Sequence, residues 1–408
     1  MMKRLLIALA LAACSSPGLT PATPPAVVHT DAALAARVDP VIDKAIAEQK
    51  LVGIVMLVAR DGEVVYSRAS GFADREAKLA MRDDTQFRFA SMTKPIVTAT
   101  AMTLVEQNKL SLDDPVTKWL PDFRPKLPDG REPVITVRQL MTHTSGLTYK
   151  FLEPADGPYH KANVPDGIAE PGLGMAEFLK RLGSVPLVNE PGTKWVYSLS
   201  IDVLGAVIEK AAGEPLPAVV AHRITQPLGM ADTTFVVTDK ARLAWPYGTG
   251  TPPPRMTEPF DATEGSMSVR FSPARIFDPG SFPSGGAGLA GTARDYLRFC
   301  ETLRAGGGRV LKPATVQAMT TNELPAGLVV DAGLGFGYGF GIVLDPAAAK
   351  SSQGTGTYTW AGIYGTSFWV DPAAKLSVVI LTNATAGPPQ ELEQAIYGVT
   401  SAASAATP

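Results

Sequence analysis

Phe89-Ala90-Ser91-Met92-Thr93-Lys94-Pro95 is the stretch on which the reading of this chain turns. Ser91 and Lys94 stand three apart, and an apolar-rich helical run, Ile96 to Leu110, follows them. If the helix begins near Ser91, residues three apart share one face. The Lys94 amine is then carried beside the Ser91 hydroxyl. A serine at a helix start also has its own N–H free to help hold an oxyanion. Serine is a poor nucleophile without a base, and a lysine stripped of water can act as one. Alone, this spacing also fits a helix N-cap serine beside a solvated lysine.

The segments before and after this stretch set its surroundings. An amphipathic run from Ala32 to Gln49 places Ala36, Val38, Val41, Ile42, Ala45 and Ile46 on one face. Val52–Ala59 and Val64–Ala69 flank Asp61-Gly62, the signal of a β-hairpin. At the other end, Tyr338–Leu344, Thr366–Val370 and Leu376–Thr382 read as strands, with Asp371–Lys375 as a turn and Gln390–Ser401 as a final helix. The middle is mostly helical. The expected architecture is α/β (more narrowly α+β): an antiparallel sheet built from both chain termini, flanked by helices, plus a mostly helical second lobe. A site at the seam is the common place for a ligand. Two long stretches, Tyr149–Gly172 and the proline-rich Trp245–Gly280, lack clear periodicity and are expected to line the site.

Composition excludes several classes. The 408 residues are 45% hydrophobic, ample for a core, and the net charge of -2 with no long basic run argues against a nucleic-acid partner. Four histidines and two cysteines are too scattered for a metal site, and no metal or organic cofactor is expected. Cys300, in a helical-looking stretch, is assigned no role.

The start of the chain reads as export. Lys3 and Arg4 precede an apolar run, Leu5–Ala13, too short to span a bilayer as a helix. Leu11-Ala12-Ala13-Cys14 resembles a bacterial lipobox. Residues 1–13 are expected as a lipoprotein signal peptide and Cys14 as the lipidated residue. Residues 14–31 are expected as a disordered, proline-rich tether, and residues 32–402 as the folded domain. Ser15 suggests, by analogy with Gram-negative sorting, the outer membrane, facing the periplasm.

Three further motifs stand in order. Thr142-His143-Thr144-Ser145-Gly146 comes first, then Pro191-Gly192-Thr193-Lys194-Trp195-Val196-Tyr197-Ser198-Leu199, then Thr359-Trp360-Ala361-Gly362-Ile363. With Ser91 and Lys94, the chain from about 35 to 400 resembles the serine β-lactamases of class C type, the D-Ala-D-Ala carboxypeptidases and the family VIII carboxylesterases. The resemblance implies a β-lactamase-like fold, Ser91 as nucleophile, Lys94 as general-base partner, and Tyr197 as the phenol that relays the proton. Which of the two takes the first proton stays open, since coupled groups share their titration. It further implies that Ile363 N–H completes an oxyanion hole with Ser91 N–H. His143 is set aside as a catalytic base: it resembles a structural turn of the family, and no G-x-S-x-G elbow occurs.

Two departures from the β-lactamase pattern narrow the substrate. Leu199 stands where those enzymes carry an asparagine, and Trp360 where they carry the lysine of Lys-Thr-Gly. Losing an amide partner and a cation disfavours β-lactams and acyl-D-Ala, while Trp360 and Leu199 offer apolar contact. The expected function is a carboxylesterase for short-chain or aryl esters, with weak β-lactamase activity as a side reaction. The alternatives are a true β-lactamase or D-Ala-D-Ala peptidase, and a non-catalytic module that binds cell-wall material.

Overall fold

The computed structural model describes residues 28–264 and 267–398. Residues 1–27, including the expected signal peptide and Cys14, lie outside them.

The first and last long strands lie side by side. Gly53–Arg60 pairs antiparallel with Leu376–Thr382, Val58 opposite Val378. Outward on one side come Glu63–Asp74, which also carries the short strand Leu79–Ala80, and then Val28–His29. On the other come Thr366–Asp371, Tyr358–Gly362, Gly341–Val343 and Leu334–Phe336. Every pairing is antiparallel.

Both central strands are apolar without alternation because helices cover both faces. Ile54, Met56, Val58, Val378 and Ile380 meet helices Ala32–Ala47 and Glu391–Tyr397. Val55, Leu57, Ala59, Val379 and Leu381 meet Phe299, Cys300 and Leu303 of helix Ala293–Arg304. Each such side chain withdrawn from water contributes about 1.5–3 kcal/mol, which makes this double-covered strip the stable centre. The second lobe packs around helix Thr93–Glu106, buried on nearly all sides. Three of its threonines bond their hydroxyls to its own backbone: Thr98 Oγ1 donates to Lys94 O, Thr100 Oγ1 to Ile96 O and Thr103 Oγ1 to Thr100 O.

The structure departs from the sequence expectations in five places. Of the residues expected as a tether, 14–27 lie outside the described ones, while Val28–His29 joins the sheet and Asp31 caps helix Ala32–Ala47 by accepting from Leu34 N–H at 2.9 Å. The apolar face of that helix includes Leu34 and Ala35, while Ala36 faces solvent. Of the strand expected over Tyr338–Leu344 only Gly341–Val343 is strand; the chain reverses at Gly339, with φ of 87°, and the antiparallel partner Leu334–Phe336 lies before the expected range. The proline-rich Trp245–Gly280 holds a hairpin, Phe260–Glu264 against Met267–Phe271. The last helix stops at Gly398, in the left-handed conformation of a helix C-cap, so the segment expected to continue to residue 401 ends earlier within the described residues.

Candidate active site

Ser91 sits in the 3-10 turn Ala90–Met92, which runs directly into helix Thr93–Glu106. The turn is tied to both lobes. Phe89 N–H donates to Leu289 O at 2.9 Å, and Thr366 Oγ1 donates to Phe89 O at 3.0 Å. Ala90 takes a left-handed φ of 46°, a conformation that costs an L-residue about 1–2 kcal/mol and is held here by those ties.

One helical turn on, Lys94 is fully buried. Its Nζ donates to Ser91 Oγ at 3.1 Å and to Gly286 O at 2.9 Å. Tyr197, arriving just before helix Ser200–Ala212, donates its hydroxyl to the same Ser91 Oγ at 2.5 Å. The Lys94 Nζ lies 4.6 Å from the centre of the Tyr197 ring. Amine and phenol therefore converge on one hydroxyl. Lys94 Nζ and the Tyr197 hydroxyl are both placed to exchange a proton with Ser91, which is the geometry of an activated serine.

Strand Tyr358–Gly362 forms the opposite wall. Trp360, Ala361, Gly362 and Ile363 line a cavity of about 400 Å³ together with Ser91 and Tyr197. A side chain at Gly362 would put its Cβ 2.1 Å from Phe89 O, so only glycine lets the strand approach the serine turn this closely. The Trp360 ring lies 5.5 Å from that of Tyr197 and 5.2 Å from that of Phe336.

Leu199 is a correction. Its side chain is fully buried in the main core and does not line the cavity. It stands at the entry to helix Ser200–Ala212, where the backbone turn directs it inward, so it offers no surface to a substrate in this structure.

His143 lies behind Tyr197, ring centres 4.9 Å apart, with Nδ1 bonded to Ser198 Oγ at 3.0 Å. Burial, helped by the charge of Lys94, holds its pKa well below the ordinary value, so the ring is neutral. Among the described residues no cluster of metal-ligating side chains occurs.

Residues 38–401 match the Beta-lactamase family model. The chain belongs to the beta-lactamase family. Esterase EstB of Burkholderia gladioli is 48% identical over 357 residues, 86% of this chain and 91% of that protein. EstCE1, described as a hydrolase with promiscuous acyltransferase activity, has a TM-score of 0.85 at 43% identity, covering 90% of this chain and 99% of its own. Simvastatin synthase (LovD) from Aspergillus terreus has a TM-score of 0.70 at 23% identity, covering 90% and 98%, and shows the shared fold alone. Within the beta-lactamase family the chain stands close to the family VIII esterases.

Three site residues of this beta-lactamase-family chain escaped the sequence reading. Asp202 is fully buried; its Oδ1 accepts from Ser284 Oγ at 2.5 Å and from Gly286 N–H at 3.2 Å. It thereby holds the loop whose carbonyl receives Lys94. Burial raises its pKa while the Lys94 charge pulls it down. Tyr149 lines the cavity with its ring 5.1 Å from that of Tyr197, and burial first, then neighbouring negative charge, keeps its phenol protonated. Asp166, also in the cavity wall, is pushed up to about 7, chiefly by burial, against the pull of Lys150. The only sequence signal for these three was position: an acid in a helix's first turn and two residues of an irregular loop.

Proposed function

We propose that the protein is a serine carboxylesterase that forms an acyl-enzyme on Ser91. The observation that carries this reading is the convergence of Lys94 Nζ and Tyr197 Oη on Ser91 Oγ, at 3.1 and 2.5 Å. Ser91 Oγ attacks the ester carbonyl as its proton passes to the Lys94–Tyr197 pair. Ser91 N–H and Ile363 N–H receive the oxyanion. The carbon–alkoxy bond breaks and the alcohol departs with a proton from Tyr197. Water then repeats the attack on the acyl-serine, and the same pair takes its proton.

The apolar lining around Ser91, with Trp360 in place of a lysine, favours short-chain and aryl esters over the charged amides of cell-wall peptides. Weak β-lactam hydrolysis follows from the shared machinery. The likeness to EstCE1 supports transfer of the acyl group to an alcohol in place of water as a second outcome of the same intermediate.

A fluorophosphonate probe tests the reading directly. It is expected to label the wild type and not Ser91→Ala. Rates on p-nitrophenyl butyrate are expected to exceed those on nitrocefin and on a D-Ala-D-Ala peptide. A wild type that resists the probe would remove Ser91 as nucleophile.

Export and lipid attachment at Cys14, with the domain at the periplasmic face of the outer membrane, complete the proposal. Their support is the basic start, the apolar run Leu5–Ala13 and the cysteine that ends it. Labelled palmitate entering the wild type but not Cys14→Ala is the expected result.

A further inference from the structure

A second chamber lies against the first. Its volume is about 360 Å³. The hairpin Phe260–Phe271 supplies one wall through Phe260, Ala262, Val269 and Phe271, and Thr249 and Thr385 form the rim. Ile363 lines both chambers. The floor is continuous: Phe260, Val269 and Phe271 pack in one apolar cluster with Ile168, Phe151 and Ile363, which line the cavity around Ser91. The charge at Asp261 is already matched by Arg270, at 2.7 and 2.8 Å, and the rim hydroxyls of Thr249 and Thr385 bond each other at 3.0 Å. Phe260, Ala262, Val269 and Phe271 thus give the chamber its apolar surface, with Asp261, Thr249, Thr263 and Thr385 as its polar side.

We propose that the substrate's acyl chain runs past Ile363 into this chamber, so that the enzyme takes medium- and long-chain carboxylic esters as well as short ones. The inference rests on the esterase reading above and deepens it. The limb is assigned by proton transfer. As the Ser91 Oγ–acyl carbon bond forms, the carbon–alkoxy bond breaks, and the alkoxy oxygen must take its proton from Tyr197. Tyr197 lines the first chamber and not the second. The alcohol limb therefore stays beside Tyr197, and the limb that remains on Ser91 is the one directed past Ile363. Each methylene moved from water to apolar surface favours binding, so chain length becomes a readable signal.

The test varies the two limbs separately. One series keeps p-nitrophenol and lengthens the acyl group from butyrate to octanoate to laurate. The other keeps butyrate and lengthens the alcohol. Wild type is expected to have kcat/KM on p-nitrophenyl octanoate at least equal to that on butyrate; a steep fall beyond butyrate overturns the proposal whatever the variants do. Ala262→Trp, on the hairpin wall, and Thr385→Trp, at the rim, each fill the chamber. Each is expected to lower the octanoate-to-butyrate ratio by about tenfold or more, with the butyrate rate, the alcohol series and thermal unfolding unchanged. A ratio untouched in both folded variants, or a loss confined to the alcohol series, overturns it. Failure of the esterase reading looks different: no hydrolysis of any p-nitrophenyl ester and no fluorophosphonate labelling.

Discussion

The Tyr197 hydroxyl donates to Ser91 Oγ at 2.5 Å, although 106 positions separate the two in the chain. Helix Ser200–Ala212 packs on helix Thr93–Glu106, and that contact brings the phenol to the serine. Tyr197→Phe keeps the ring and its packing against His143 and Trp360 but removes the hydroxyl proposed as proton relay. The expected loss in kcat/KM on p-nitrophenyl butyrate is about 10²–10⁴-fold, the usual worth of general acid–base help. Lys94→Met should lose at least as much. Steady-state kinetics with thermal unfolding as control checks both; a Tyr197→Phe enzyme within a few-fold of wild type removes the phenol from the relay.

Asp202 governs the second acceptor of Lys94. Asp202→Ala leaves Ser284 Oγ and Gly286 N–H without their buried acceptor, a loss of about 3 kcal/mol in stability. The loop is then free to withdraw Gly286 O from the amine, so kcat should fall more than KM rises. Asp202→Asn keeps an oxygen for both donors and is expected to recover most of the stability. Gly286→Ala should behave like Asp202→Ala, because its Cβ would stand 2.3 Å from Asp202 Oδ2. Urea denaturation and separate kcat and KM values decide it: equal stability in Asp202→Ala and wild type contradicts the role.

These residues mark the boundary of what the sequence carries. Helical periodicity places Ser91 and Lys94 together, but that spacing alone also fits a capping serine beside a solvated lysine, and the later motifs in their order made the pair legible. The central strands were legible because a Val- and Ile-rich run broken by Asp61-Gly62 has few other readings. Tyr197 was reached only through resemblance, since nothing local ties it to Ser91. Asp202 and Gly286 meet across 84 positions, and an acid in a helix's first turn reads equally as a partner for the helix dipole. Leu199 was misplaced because a motif position names a neighbour in sequence, not the direction of a side chain. The hairpin Phe260–Phe271 was missed because its first strand alternates through alanine and threonine, a weak pattern behind a run of prolines.

Asp166 predicts how stability varies with pH. Its carboxyl is raised to about 7 in the folded chain, against 3.8 when free. Between those values the folded state holds a proton that the unfolded state has released. Unfolding free energy therefore falls as pH rises through this window, and the loss is nearly complete above about pH 7. Asp166→Asn cannot ionise, and its Oδ1 can still accept from Lys150 N–H, as Asp166 does at 3.1 Å. The variant should gain on wild type by about 2–3 kcal/mol between pH 5 and pH 8. Denaturant titrations at the two pH values measure it, and a pH-independent difference counts against a buried, proton-holding Asp166.

Trp360 tests why this site prefers esters. Its ring presents apolar area to the cavity where β-lactamases carry a lysine, and it packs on Tyr197 and Phe336. Trp360→Ala removes that area, and an aryl ester should lose roughly 10–100-fold in kcat/KM, mostly through KM, since the lost contact is made in ground and transition states alike. Trp360→Lys removes the same area but adds a cation beside the cavity. The ester should suffer equally, while nitrocefin, with its carboxylate, should gain relative to Trp360→Ala. The comparison of the two variants separates shape from charge. If both lose ester activity and neither differs on nitrocefin, the missing lysine is not what excludes β-lactams, and the cavity's shape must be.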